Sequence, residues 1–90
     1  MTVVKKTITV INRLGLHARP AAQIVQKASQ FKSEIKLYKD GLEVNAKSIM
    51  GVMMLAAEMG SLVVIIAEGL DEEAAANAIA EVFASKFGEE

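Results

Sequence analysis

Cysteine is absent from the 90-residue chain, which excludes a disulfide framework, a thiolate zinc site and a cysteine nucleophile. Histidine occurs once, at position 17, too few nitrogen ligands for zinc, so neither a metal nor a cofactor is expected. Tryptophan is missing and proline occurs once; no stretch is rich in Pro, Gly or Ser, and no repeat of roughly 20 to 50 residues is visible. An excess of charge of one sign is lacking too. Lysine and arginine total 10 against 11 acidic residues, a net charge of −1, whereas a nucleic-acid binder is ordinarily far more basic. The longest apolar run, Leu62 to Ala67, falls well short of the roughly 20 residues of a membrane span. The opening Met1-Thr2-Val3-Val4-Lys5-Lys6-Thr7 alternates instead of presenting the about 7 to 15 apolar residues of a signal peptide. These absences predict a cytoplasmic protein with no nucleic-acid or membrane partner. What is present is a 52% hydrophobic fraction, enough for one domain over residues 1–90 that stands on packing alone.

Period-two alternation of Val4, Lys6, Ile8 and Val10 against Lys5, Thr7 and Thr9 predicts a half-buried strand over residues 3–11. Asn12 to Gly15 breaks it. Pro20 follows in a helix's first turn, and Ala21, Ile24, Val25, Ala28 and Phe31 then recur at helical spacing, predicting about three turns. Residues 34–38 and 42–44 alternate around Lys39-Asp40-Gly41, a hairpin with a tight Asp-Gly turn. Ser48 is placed to cap a helix over Ile49 to Glu58, stopped by Gly60. Leu62 to Ala67 is a fourth strand. Asp71 is placed to cap a last helix with core positions Ala75, Ile79, Val82 and Phe83, ending at Lys86 and Gly88. The order βαββαβα predicts an α+β fold, an open-faced two-layer β-sandwich with a four-stranded antiparallel sheet covered on one face by three helices.

The chemistry concentrates at His17, in Gly15-Leu16-His17-Ala18-Arg19-Pro20-Ala21, where the first helix begins. A helix N-terminus presents unpaired N–H groups and attracts anions. A phosphoryl group placed on the imidazole would meet those donors and the Arg19 guanidinium. A lone histidine at a helix start is more often a cap or a surface residue, and Arg19 taken alone reads as a solvated cation. The helix after Ser48 adds an independent sign: Ile49, Met50, Val52, Met53, Met54 and Leu55 place apolar side chains nearly all round it, more than one face can bury. Some must be exposed, and exposed methionine suits a surface that adapts to several partners.

Two segments together carry a resemblance. Gly15-Leu16-His17-Ala18-Arg19-Pro20-Ala21-Ala22 resembles the active-site signature of HPr, the histidine-containing phosphocarrier family of the bacterial phosphoenolpyruvate-dependent sugar phosphotransferase system. Val44-Asn45-Ala46-Lys47-Ser48-Ile49-Met50-Gly51 is similar to that family's second signature, around a regulatory serine. The resemblance covers essentially the whole chain. It implies that His17 takes a phosphoryl group on Nδ1 from phospho-Enzyme I and passes it to the IIA domain of a sugar permease. Arg19 would clamp the anion, Pro20 would shape the helix start, and Leu16, Ala22, Ile49, Met50 and Met53 would dock partners. It implies phosphorylation of Ser48 by an ATP-dependent HPr kinase/phosphorylase, with a carbon-catabolite transcription regulator as reader, although a serine before a helix is ordinarily only a cap. No Gly-rich nucleotide loop or Mg²⁺ carboxylate pair is present, so a carrier and not an enzyme is expected.

Three alternatives stand beside this reading. A nitrogen-regulatory member of the family is disfavoured by Lys47-Ser48-Ile49-Met50-Gly51, and a purely regulatory catabolite-repression paralogue by the presence of His17. A stand-alone enzyme would need a second titratable group beside His17. Glu89 and Glu90 are the candidates, and sequence does not place them. A brief visitor of partners with a small docking patch is expected to be a monomer.

Overall fold

A computed structural model of the chain describes residues 3–89. Its elements are β1 (Val4–Thr9), α1 (Ala18–Ala28), β2 (Glu34–Lys39), β3 (Leu42–Asn45), α2 (Ile49–Met54), β4 (Leu62–Glu68) and α3 (Glu72–Ala84), followed by a short 3₁₀ turn at Lys86–Gly88. The four strands form one antiparallel sheet in the order β1-β4-β2-β3. The expected open-faced sandwich is the one found.

Register explains which face is covered. Ile8 opposes Val63, Leu37 opposes Ile65 and Val44, and Ile35 opposes Ala67, so one face collects the β-branched and leucine side chains. Ile35, Leu37, Val44, Val63, Ile65 and Ala67 are buried there with Ile24, Val52, Ile79, Phe83 and Phe87 from the helical layer. The other face carries Lys5, Thr7, Lys36, Tyr38 and Glu43. Asp40 and Gly41 both take positive φ, 49° and 87°, the conformation that a two-residue hairpin of the predicted kind requires. α3 lies across β1 and β4, α1 packs on α2 and α3, and α2 reaches β3. Among the described residues no helix is long and apolar enough to cross a membrane.

Three sequence expectations are corrected. α1 starts at Ala18 and closes at Ala28, so Phe31 lies beyond its end, half-buried against the core. α2 stops at Met54 rather than Glu58. Ala56 adopts a left-handed φ of 48°, which turns the chain so that the Ala57 carbonyl can accept from the Leu16 N–H at 2.9 Å; that tertiary bond overrides a run of good helix formers. Asp71 precedes α3 as expected but does not cap it. Its carboxylate instead accepts from the Ser33 hydroxyl and from the backbone N–H groups of Lys32 and Ser33. Those bonds, the Ser33 hydroxyl foremost, hold its carboxyl at about 2 and tie the α1–β2 loop to the start of α3.

Candidate functional site

β1 ends short of the site, and the chain from Val10 to Leu16 is built to deliver the next residue. Val10 is fully buried and continues the β4 pairing through its N–H to the Ser61 carbonyl at 2.9 Å. Gly15 sits at φ 68°, where a Cβ would come within 2.3 Å of the Ala57 carbonyl oxygen, so only glycine lets the loop lie this close. Leu16 is 4% exposed and sinks into the core. This corrects the expectation of Leu16 as a docking residue, because its side chain is consumed in anchoring the loop. Ala22, also expected to dock, is half-buried one turn into α1.

His17 is thereby placed at the N-cap of α1, with φ −76° and ψ −172°. Its carbonyl accepts the first intrahelical bond, from the Ala21 N–H at 3.0 Å, and its side chain makes no capping bond. The N–H groups of Ala18 and Arg19 have no intrahelical partner, and Pro20, at the third helical position, contributes none. The imidazole is partly open, its side chain 38% exposed. Around it lies an open depression lined by Arg13, Leu14, His17, Arg19 and Glu89. Neither guanidinium meets a carboxylate within ion-pair distance among the described residues. Two arginines without an ion pair and a helix N-terminus share this depression with the imidazole, outnumbering the Glu89 carboxylate, which makes it a receptive setting for an anion.

The far end of the chain closes this site. Lys86, Phe87 and Gly88 take positive φ of 57°, 56° and 73° in succession, a left-handed turn that drives the Phe87 ring into the core. There it meets Phe83 edge to face, centroids 5.2 Å apart. Gln23 of α1 donates to the Phe87 carbonyl at 3.0 Å. Two residues on, one oxygen of Glu89 accepts from the Asn12 amide at 3.0 Å and the other contacts His17 Nε2 at 2.9 Å. The same Asn12 nitrogen donates to the Gly15 carbonyl at 2.8 Å. Glu89 is held below the ordinary carboxylate range, chiefly by the Asn12 bond; partial burial opposes this, while His17 and the Arg19 charge reinforce it.

Asn12, Arg13, Leu14 and Phe87 went unremarked as site residues in the sequence. The only available signal was the four-residue spacing of Phe83 and Phe87, two aromatics on one helical side. Glu89 was a candidate by chemistry alone, and its approach to His17 is now placed; Glu90 lies outside the described residues.

Ser48 caps α2 as expected, its hydroxyl accepting from the Gly51 N–H at 3.0 Å. Beyond it, Val52 and Leu55 turn inward while Ile49, Met50, Met53 and Met54 stay exposed, Met50 by 75%. Leu14, 73% exposed on the His17 loop, adds another apolar side chain. The methionine-rich helix therefore resolves into the two faces its composition required.

Fold and site together define a small α+β module that presents one histidine, at a helix N-terminus, between arginines, together with a helix whose outer face is apolar and exposed. The family profile described as "PTS HPr component phosphorylation site" matches residues 4–85, and the chain belongs to this family, the HPr phosphocarriers of the phosphotransferase system. It is 57% identical over 88 residues to the phosphocarrier protein HPr of Treponema pallidum, an alignment covering 98% of this chain and 100% of the relative. It is 52% identical over 77 residues to the HPr-like protein Crh of Halalkalibacterium halodurans, covering 86% of this chain and 92% of the relative. The solved structure of HPr-C-His from Thermoanaerobacter tengcongensis superposes with a TM-score of 0.92 at 53% identity, covering 97% of this chain and 98% of the other.

Proposed function

We propose that this chain relays a phosphoryl group from phospho-Enzyme I, through Nδ1 of His17, to the IIA domains of sugar permeases, working in the cytoplasm as a carrier without a catalytic site of its own. The observation that carries this reading is the convergence of Arg13, Arg19 and the free N–H groups of α1 on a partly open imidazole. In the forward step a ring-nitrogen lone pair forms the N–P bond while the donor's bond to phosphorus breaks, and the electron pair of that bond stays with the donor. The new dianion is then held by the arginines and the helix start until the reverse sequence delivers it to an acceptor. Arg19 is the anion clamp in this reading and Pro20 shapes the first turn.

Glu89 beside His17 supplies the second titratable group that a stand-alone enzyme would need. Both of its oxygens are already engaged, one by Asn12 and one by His17. It therefore holds the ring and is not positioned as an acid or base toward a substrate.

The exposed Ile49, Met50 and Met53, with Leu14 added, form the docking surface for both donor and acceptors. Some relatives are solved as dimers; this chain is read as a monomer, since a surface that meets two enzymes in turn must be left free. Ser48, at the head of that surface, is read as the target of an HPr kinase/phosphorylase, with a carbon-catabolite regulator as a further partner. The similarity to a Crh protein points to the same regulatory side of the family.

Incubation with Enzyme I and phosphoenolpyruvate tests the relay. One phosphoryl group is expected, labile in acid and stable in base as a phosphoramidate; no uptake with a competent Enzyme I sinks the reading. A second expectation concerns Ser48→Asp, which keeps an N-cap acceptor while adding charge beside the apolar surface. Its labelling by Enzyme I should slow roughly ten-fold, or about 1.4 kcal/mol, through weakened docking. An unchanged initial rate would remove charge at Ser48 as a control on docking.

A further inference from the structure

The bonds around His17 form a chain whose donor-to-acceptor direction can be read from one end. The Gly15 carbonyl only accepts, so the Asn12 atom 2.8 Å from it is the amide nitrogen. That nitrogen also lies 3.0 Å from Glu89 Oε1, which commits its second hydrogen. Turning the amide over would set Asn12 Oδ1 against a carbonyl and a carboxylate, three acceptors together, at a residue that is 0% exposed. The present orientation leaves Asn12 Oδ1 buried without a partner among the described residues, a cost that marks the nitrogen end as the one the site requires. An ionised carboxylate has no hydrogen to give, so the 2.9 Å contact of Glu89 Oε2 needs a hydrogen on His17 Nε2. A neutral imidazole protonated at Nε2 carries its free lone pair on Nδ1.

The geometry assigns Asn12 and Glu89 as positioning residues that keep the hydrogen of His17 on Nε2 and so select Nδ1 as the nucleophile. The carboxylate acts through the ring and stays on the side of it away from the reacting nitrogen. After transfer, the Nε2–H still faces Glu89, so the phosphorylated, positively charged ring keeps its counter-charge. This assignment rests on the reading of His17 as phosphoryl acceptor, but the tautomer is observable without any transfer.

Glu89→Gln separates a directional role from a merely structural one. The committed Asn12 amide demands an acceptor, so the glutamine oxygen turns to Asn12 and its NH₂ faces Nε2. Nε2 must then be bare, and the hydrogen moves to Nδ1. In ¹⁵N spectra of the full chain with the ring neutral, wild type should show a protonated Nε2 and a bare Nδ1, and Glu89→Gln the reverse. Glu89→Ala, which leaves the ring to water, should relax toward a free imidazole's mixture of tautomers, with less hydrogen on Nε2 than wild type. Phosphoryl labelling of Glu89→Gln should then run about ten-fold or more below that of Glu89→Ala, since a wrong tautomer is worse than an unheld ring. Position 89 lies outside the hydrophobic core, and matching backbone amide spectra confirm the fold. If the glutamine variant retains hydrogen on Nε2 and labels no more slowly than the alanine variant, the assignment is overturned. If the tautomer reverses in a protein that takes up no phosphoryl group at all, the assignment stands and the phosphocarrier reading of His17 fails instead.

Discussion

His17→Ala is expected to take up no phosphoryl group from Enzyme I and phosphoenolpyruvate while retaining the wild-type fold. The two halves of this result have separate grounds. His17 is the only histidine, so no second imidazole can inherit the label. The fold should survive because the imidazole does no structural work that alanine would lose. It makes no capping bond to α1, and the bond that starts the helix comes from the His17 carbonyl, which alanine also has. Glu89 loses one partner but keeps its bond from Asn12. Stability should therefore change by less than about 1 kcal/mol, because this N-cap residue has no side-chain capping bond to lose and lies outside the core. Acid-labile labelling that persists in this variant would take the carrier role away from His17. Loss of labelling accompanied by a collapsed amide spectrum would show instead that the histidine supports the helix start.

Much of this was legible in the sequence, and the reasons differ by element. The four strands and their hairpin could be read because each signal is local: alternation in residues 3–11 and 34–44, the Asp40-Gly41 pair, and a β-branched run at Leu62–Ala67. His17 and Ser48 could be read because a helix boundary is also local, and both proved to be N-caps. The errors arose where a distant residue decided. α2 ends early because the Ala57 carbonyl is needed by Leu16, some forty positions before it in the chain. Asp71 leaves its own helix uncapped because Lys32 and Ser33 compete successfully for its carboxylate. Leu16 was expected to dock partners beside His17, yet the tight turn at Gly15 points it inward. The same limit hid the support of the site: Asn12 and Glu89 are separated by 77 positions, and nothing in either neighbourhood announces the other.

That support depends on Phe87, and Phe87→Ala should show it. The ring is 2% exposed and packed edge to face on Phe83, so its removal leaves a cavity within the helical layer. Truncations of this kind cost about 3–5 kcal/mol, a large share of the roughly 5–15 kcal/mol that holds a small domain together. Part of the loss should be recovered, since Phe87 and Lys86 sit in left-handed conformations that are unfavourable outside glycine, and the freed segment can relax them. A net loss near the lower end of that range, read as a lowered denaturant midpoint with an unchanged slope, is the expected outcome. The functional consequence follows from the geometry of two residues. With Phe87 no longer buried, the Gln23 bond to its carbonyl loses its fixed acceptor and Glu89 is no longer delivered between Asn12 and His17. Under conditions where the variant is still folded, its labelling should match that of Glu89→Ala and not that of His17→Ala, because the acceptor ring and both arginines remain. A destabilisation below about 1 kcal/mol would mean that the terminal turn is not part of the core. Wild-type labelling in a clearly destabilised variant would mean that Glu89 finds His17 without the anchor.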